Sequence, residues 1–248
     1  MRAEQKTFKP WIAPASVRAQ IGFCGAALLA LGGATHVAGT AVVLLFLTVG
    51  MLPGWPKLLR LPNLSTSRWV MSLTAVFAAF AAGLGTVGHT AMVLTGAVIA
   101  SFVTEIFRTD GRYKLVEQIS GDFAGAIMVI CASMWIHLVK LEDGSNVMVV
   151  AAIALAVGAV ISAFDSPRAH LLTFINTTAF AVAVAFVMGT PVMVGVIIGL
   201  FVGLGFYLTR RAVRFLPRHD SPEISAARAL IPHCALGLIS YLVCVVLV

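Results

Sequence analysis

The stretch Ile21-Gly22-Phe23-Cys24-Gly25-Ala26-Ala27-Leu28-Leu29-Ala30-Leu31-Gly32-Gly33-Ala34-Thr35-His36-Val37-Ala38-Gly39-Thr40-Ala41-Val42-Val43-Leu44-Leu45-Phe46-Leu47-Thr48-Val49-Gly50-Met51-Leu52 decides the fold. It holds 32 residues without a charge. About 20 apolar residues suffice to cross the ~30 Å hydrocarbon core of a bilayer. The run is therefore one long tilted helix or two helices in a tight hairpin. Paired glycines followed by Thr35 and His36 are a turn signal near its middle.

The distribution of cations chooses between the two. Seven more apolar blocks lie near 68–86, 90–107, 118–139, 146–164, 169–189, 191–209 and 227–247. If residues 20–33 and 36–52 are separate crossings, the chain crosses nine times. One face then carries Arg2, Lys6, Lys9, Arg18, Lys57, Arg60, Arg68, Arg108, Arg112, Lys114, Arg168, Arg210, Arg211, Arg214, Arg218 and Arg228. Of the 17 basic residues only Lys140 lies on the other face. A single long helix would move the first four across and leave twelve against five. Cytoplasmic loops collect Lys and Arg, so the hairpin is expected, with the N-terminus cytoplasmic and the C-terminus outside.

Composition agrees. The chain of 248 residues is 60% hydrophobic and 11% charged, where a soluble domain has about a quarter of its residues charged. Short alternating blocks suited to a membrane β-barrel are absent. The expected fold class is all-α: a polytopic membrane protein, nine transmembrane helices in a compact bundle. Residues 1–19 form a cytoplasmic segment and 20–248 a single transmembrane domain. The net charge of +7 sits in short loops, as topology anchors facing an anionic inner leaflet do, and not on a basic face for nucleic acid. The four cysteines have no paired spacing and read as small hydrophobes.

Small residues suggest how the helices pack. Gly195, Gly199 and Gly203 share one face of the eighth block, and Gly121 and Gly125 one face of the fifth. Trp55, Leu58, Leu59 and Leu61, interleaved with Lys57 and Arg60, are expected to lie on the inner leaflet as an amphipathic segment. Val213, Phe215 and Leu216, among Arg210, Arg211, Arg214 and Arg218, read the same way.

Ionisable groups within hydrocarbon are costly and mark functional sites. Glu105 falls one turn from the inner end of its helix. Asp122 falls about 6 Å into the next, and Asn176 and His233 about 10 Å into theirs. Thr173, Asn176 and Thr177 form a polar stripe at i, i+3 and i+4. All lie in the cytoplasmic half, with Asp165 near. The expected site is a polar pocket lined by Glu105, Asp122, Asn176, Thr177 and His233, with Arg108 and Arg112 as gate or anion contacts. Local ion pairing, Glu105 with Arg108 and Asp122 or Glu117 with Arg112 or Lys114, is the competing reading. His36, His89 and His137 lie on the outer face without companion carboxylates or thiols, so neither a metal nor a cofactor is implied. No nucleophile elbow, phosphate-binding loop or zinc-protease motif is present.

Gly54-Trp55-Pro56-Lys57-Leu58-Leu59, followed by Glu105-x-x-Arg108-x-x-Gly111-Arg112-x-x-Leu115-Val116-Glu117-x-x-Ser120-Gly121, resembles small integral membrane proteins of actinobacteria known as permeases, of undefined substrate. The likeness covers roughly the first 140 residues and implies a multi-pass protein of the bacterial plasma membrane. The hydropathic layout is also similar to that of bacterial phosphatidate cytidylyltransferases. Their late signature of the type Ser-x-x-x-Lys-Arg-x-x-x-Lys-Asp is met here by Arg210-Arg211-Ala212-Val213-Arg214-Phe215-Leu216-Pro217-Arg218-His219-Asp220. The order differs, so no residue role carries over.

The expected function is a permease moving a small solute or a lipid-linked species. One alternative is an inner-leaflet lipid-processing enzyme, in which Asp122, Asp165 or Glu117 binds a divalent metal. The other is a non-transporting scaffold in a homo-oligomer or larger membrane complex, which predicts an exposed glycine-rich face.

Overall fold

Gly32 and Gly33 do end a helix. In the computed structural model, which describes residues 15–109, 113–164, 167–214 and 221–248 (without the side chains of 167–170, 210, 213 and 214), α1 (Ala15–Ala34) is parted from α2 (His36–Met51) by Thr35 alone. His36 enters α2 with φ 61°. The Thr40 hydroxyl lies 3.0 Å from the Gly32 carbonyl and 2.9 Å from the His36 carbonyl. The hydroxyl has one proton, and when it goes to Gly32 it ties the start of α2 to the end of α1.

The remaining elements are α3 (Trp55–Leu58), α4 (Leu64–Leu84), α5 (Val87–Ile106), α6 (Leu115–Val139), α7 (Gly144–Ile161), α8 (Pro167–Val187), α9 (Val192–Arg214) and α10 (Pro222–Leu247). The described residues contain no strand. Eight segments are long and apolar enough to cross a membrane, one of them running from α2 through α3. The shorter apolar stretch Leu171–Val187 of α8 joins them, and the nine long helices make the expected bundle.

Several helices begin earlier than the apolar blocks suggested, and polar capping side chains start two of them. Asn63 accepts from the Thr66 N–H at 3.1 Å, which starts α4 at Leu64. Ser221 accepts from the Ile224 N–H, with Pro222 in the first turn, and starts α10. Such caps contribute about 1 kcal/mol each. Helix α6 starts at Leu115, after Lys114 at φ 52°. The early starts add a turn of polar residues below the apolar spans, and that turn builds the site described below.

Two apolar cores share α6 and α10. One gathers α1, α7, α8 and α9, with Leu29, Trp135, Met148, Leu155 and Ile198 fully buried. The other gathers α2, α3 and α4, with Met51, Met71 and Ile136 at its centre. Helix α5 packs on α4 and α6 at the edge and is the least buried crossing. Large apolar residues such as Phe46, Phe77, Phe80 and Phe102 cover the outside. In water such a surface would associate, and in lipid it is matched to its solvent.

The glycine face of α9 is used inside the chain. A Cβ on Gly195 would lie 2.7 Å from the Ala181 carbonyl and 2.8 Å from the Val182 Cα, while Gly199 and Gly203 face Thr178 and Phe174. The face is sealed by α8, which removes the exposed surface a scaffold reading calls for. Gly121 and Gly125 of α6 are covered by Leu61, Met71 and Trp55.

The segment around α3 corrects one expectation. Trp55, Leu58 and Leu61 are buried in protein and do not lie on a leaflet. The Trp55 Nε1–H donates to the Gly121 carbonyl at 3.0 Å, and Lys57 pairs with Glu223 at the start of α10. Gly121 and Glu223 offered partners that bilayer and water would otherwise have supplied. The second amphipathic stretch, with Phe215, Leu216 and Arg218, lies outside the described residues. Cys24 is exposed on α1, whereas Cys234 and Cys244 are buried.

Candidate functional site

A polar network closes the end of the bundle where α4 begins, α5 ends and α6 begins. Asn63, the cap of α4, donates its backbone N–H to Gln118 Oε1 at 2.9 Å. That bond fixes the Gln118 amide, because a backbone N–H cannot accept. The Gln118 Nε2 must then face the other way. It lies 2.7 Å from Ser67 Oγ and 3.1 and 3.2 Å from the two oxygens of Asp122. The single Ser67 hydroxyl proton has two acceptors in reach, the Asn63 carbonyl at 3.2 Å and the Asp122 carboxyl, and serves one of them at a time. Gln118, Ser67 and Asp122 have no solvent exposure within the protein. Asp122 starts the third turn of α6, about 10 Å from its first residue at 1.5 Å per residue.

Beside this network, Arg108 Nη1 donates to Glu105 Oε2 at 2.8 Å. The Glu105–Arg108 pairing of the competing reading thus forms, and with side chains 5% and 2% exposed it is a buried pair. Arg108 Nη2 also reaches the Tyr113 carbonyl. Among the described residues, the buried Glu105 Oε1 has no hydrogen-bond partner, which costs roughly 1–3 kcal/mol. Glu105 is close enough for its charge to act on Asp122.

The charge balance is therefore uneven. Among the described residues Asp122 is held by Gln118 and Ser67, both neutral, and Arg108 is committed to Glu105. Two buried carboxylates face one guanidinium. An unpaired charge in such surroundings is strongly disfavoured. A metal cation is poorly served at Asp122, because cations take oxygen ligands and the fixed Gln118 amide presents its N–H side. A proton on a carboxyl oxygen needs no such cage.

The other expected site residues are placed elsewhere. Thr177 is buried, and its hydroxyl lies 2.7 Å from the Thr173 carbonyl and 2.9 Å from the Gly199 carbonyl, where it ties α8 to α9. Asn176, one residue earlier, turns to the opposite side, with Nδ2 donating to the Leu172 carbonyl at 2.8 Å. The stripe of three is thus shared between two faces. His233 is fully buried between α10 and the Gly22–Gly25 face of α1, with Nδ1 3.0 Å from the Ala229 carbonyl. Arg112 and Asp165 lie outside the described residues. Glu117 is exposed.

On the opposite end, His89 accepts from the Thr86 N–H at 3.2 Å and caps α5. His137 Nε2 is 2.9 Å from Thr90 Oγ1, with its ring edge-on to Tyr241. Among the described residues no group of three His, Cys, Asp or Glu is placed to hold a metal.

A cavity of about 580 Å³ lies away from the acid pair. It is an apolar groove on the far flank, between α1, α7 and α8, and Asn176 lies on its wall.

No family model, curated protein or solved structure matches the chain.

Proposed function

We propose that this protein is a proton-coupled permease of the bacterial plasma membrane, with the acid pair as its coupling site in the cytoplasmic half. The observation that carries the reading is the surplus, among the described residues, of one buried carboxylate over the cation placed beside the pair. Asp122 is the carboxyl that gains and loses the proton. Glu105 and Arg108 hold the field around it, and Gln118 and Ser67 orient it. The two ends of the chain lie on opposite sides of the membrane, with the N-terminus, the acid pair and all basic residues but Lys140 on the cytoplasmic side. The cargo is a small solute or a lipid-linked molecule. Coupling of this kind needs a group whose charge changes without unfolding the bundle, and a buried carboxyl held by neutral donors supplies it.

The test is metabolite and lipid profiling of a strain lacking the protein, complemented with wild type or with Asp122→Asn. Wild type should restore the altered pool. Asp122→Asn, present at equal abundance in the membrane, should not. Equal restoration by both would remove Asp122 from the mechanism.

A further inference from the structure

Helix α5 begins with a capping box in which histidine takes the place usually held by Glu or Gln. In such a box a Ser or Thr at the cap pairs with a side chain three residues on, which reaches back to the backbone N–H of the cap. Here the two residues are Thr86 and His89. The Thr86 N–H lies 3.2 Å from His89 Nδ1, and the Thr86 hydroxyl 2.9 Å from the same atom. A backbone N–H only donates, so Nδ1 carries a lone pair and the ring is neutral, with its proton on Nε2. In an imidazolium both ring nitrogens carry protons. A charged His89 therefore leaves the Thr86 N–H without its acceptor, although Nδ1–H can still reach the hydroxyl.

The surroundings oppose the charged form as well. His89 is exposed in the first turn of α5, where the helix dipole is positive. Lys140, at the end of α6, donates to the Gly85 carbonyl at 3.1 Å, and a Cβ on Gly85 would lie 3.0 Å from the His89 ring. His137 of α6 meets Thr90 Oγ1, one residue after His89, and Tyr241 of α10 lies against the His137 ring. Glu142 and Asp143 follow Lys140 in the chain, and among the described residues neither forms an ion pair with a histidine. The box is thus complete with a neutral ring. It is lost as the pH falls through the mildly acidic range in which histidine is the side chain that changes charge.

What the box holds gives it consequence. Helix α5 is the least buried crossing and packs on α4 and α6. A helix with so little lateral contact depends on how its ends are fastened. Its other end carries Glu105, 16 residues or about 24 Å along the axis from His89. We propose that His89 is a proton-operated latch: acid at this face opens the Thr86–His89 box and loosens the first turn of α5. An effect of that loosening on the acid pair rests on the proton-coupling reading; the latch itself does not.

The test is amide hydrogen exchange of the full chain in lipid nanodiscs, followed by mass spectrometry of peptides that cover the start of α5. It is run at about pH 7.5 and about pH 5.5, on either side of the histidine range, and corrected for the chemical exchange rate at each pH. Wild type should lose about fourfold in protection at the lower pH. His89→Gln should hold its protection at both, because glutamine completes the same box and does not titrate. His89→Ala should be weakly protected at both; should it fail to fold, wild type and His89→Gln decide the matter. Asp122→Asn should respond as wild type does, so a failure of the coupling reading leaves the latch standing. Wild-type protection that does not change with pH overturns the proposal. So does a His89→Gln protein that loses protection as wild type does, because the response would then belong to His137.

Discussion

Arg108 is the cation on which the buried acid pair depends, and Arg108→Met tests that dependence. The substitution keeps an unbranched apolar stem and removes the charged guanidinium. Glu105 then loses its ion-pair partner, with its other carboxylate oxygen unpaired among the described residues, and Asp122 gains no compensation. Removing one member of a buried ion pair costs about 3–5 kcal/mol. The Tyr113 carbonyl also loses a donor, worth about 1 kcal/mol. Glu105→Gln should behave differently. It removes the surplus negative charge and keeps a polar group against Arg108, so its cost should stay below about 2 kcal/mol. The double variant should be more stable than Arg108→Met alone, with a coupling energy of at least about 2 kcal/mol. The assay is reversible unfolding of all four proteins in mixed detergent micelles, followed by tryptophan fluorescence. If Arg108→Met unfolds within about 0.5 kcal/mol of wild type, the pair is solvated and the charge argument fails.

Three further outcomes are expected. Gly195→Leu should destabilise the bundle by about 1–3 kcal/mol or more in the same assay, because any Cβ there meets the α8 backbone at 2.7–2.8 Å. Glu223→Gln should cost less than about 1 kcal/mol, since the Lys57 and Glu223 side chains are 34% and 41% exposed; a larger loss would mean that the α3–α10 contact is anchored by charge and not by Trp55 and Leu58. A reporter fused to the C-terminus should be found outside the cytosol and one fused to the N-terminus inside it; the same side for both would contradict an odd number of crossings.

Hydrophobicity and charge made the bundle legible. The Gly32-Gly33 turn and the cation bias together give the α1–α2 hairpin, because both follow from local chemistry and the bilayer. Asp122 and Glu105 stood out for a similar reason: an acid in an apolar block is conspicuous in one dimension. Gln118, Ser67 and Asn63 did not stand out. They are neutral; Asn63 and Ser67 precede the apolar block that begins near 68, and Gln118 stands at the first position of the block 118–139. Pro62-Asn63 ahead of an apolar run is a cap signal, and Gln118 stands four residues before Asp122, so both clues were present. Which polar residues share a pocket was not legible. Asn176 and Thr177 are neighbours in sequence but meet different helices, the groove beside α1 and α7 and the Gly199 carbonyl of α9, and His233 is spent on packing against α1. Those outcomes depend on which helices become neighbours, and in lipid that choice is made by shape, through contacts such as Gly195 on Ala181, and not by periodicity.

The most direct measurement of the central claim is the infrared spectrum of the protonated carboxyl group, recorded on wild type and Asp122→Asn in reconstituted membranes across a pH titration. The account predicts a carboxylic-acid band in wild type that disappears as the pH is raised and is missing from Asp122→Asn at every pH. An identical spectrum for the two proteins throughout would show that Asp122 carries no exchangeable proton and would contradict the account.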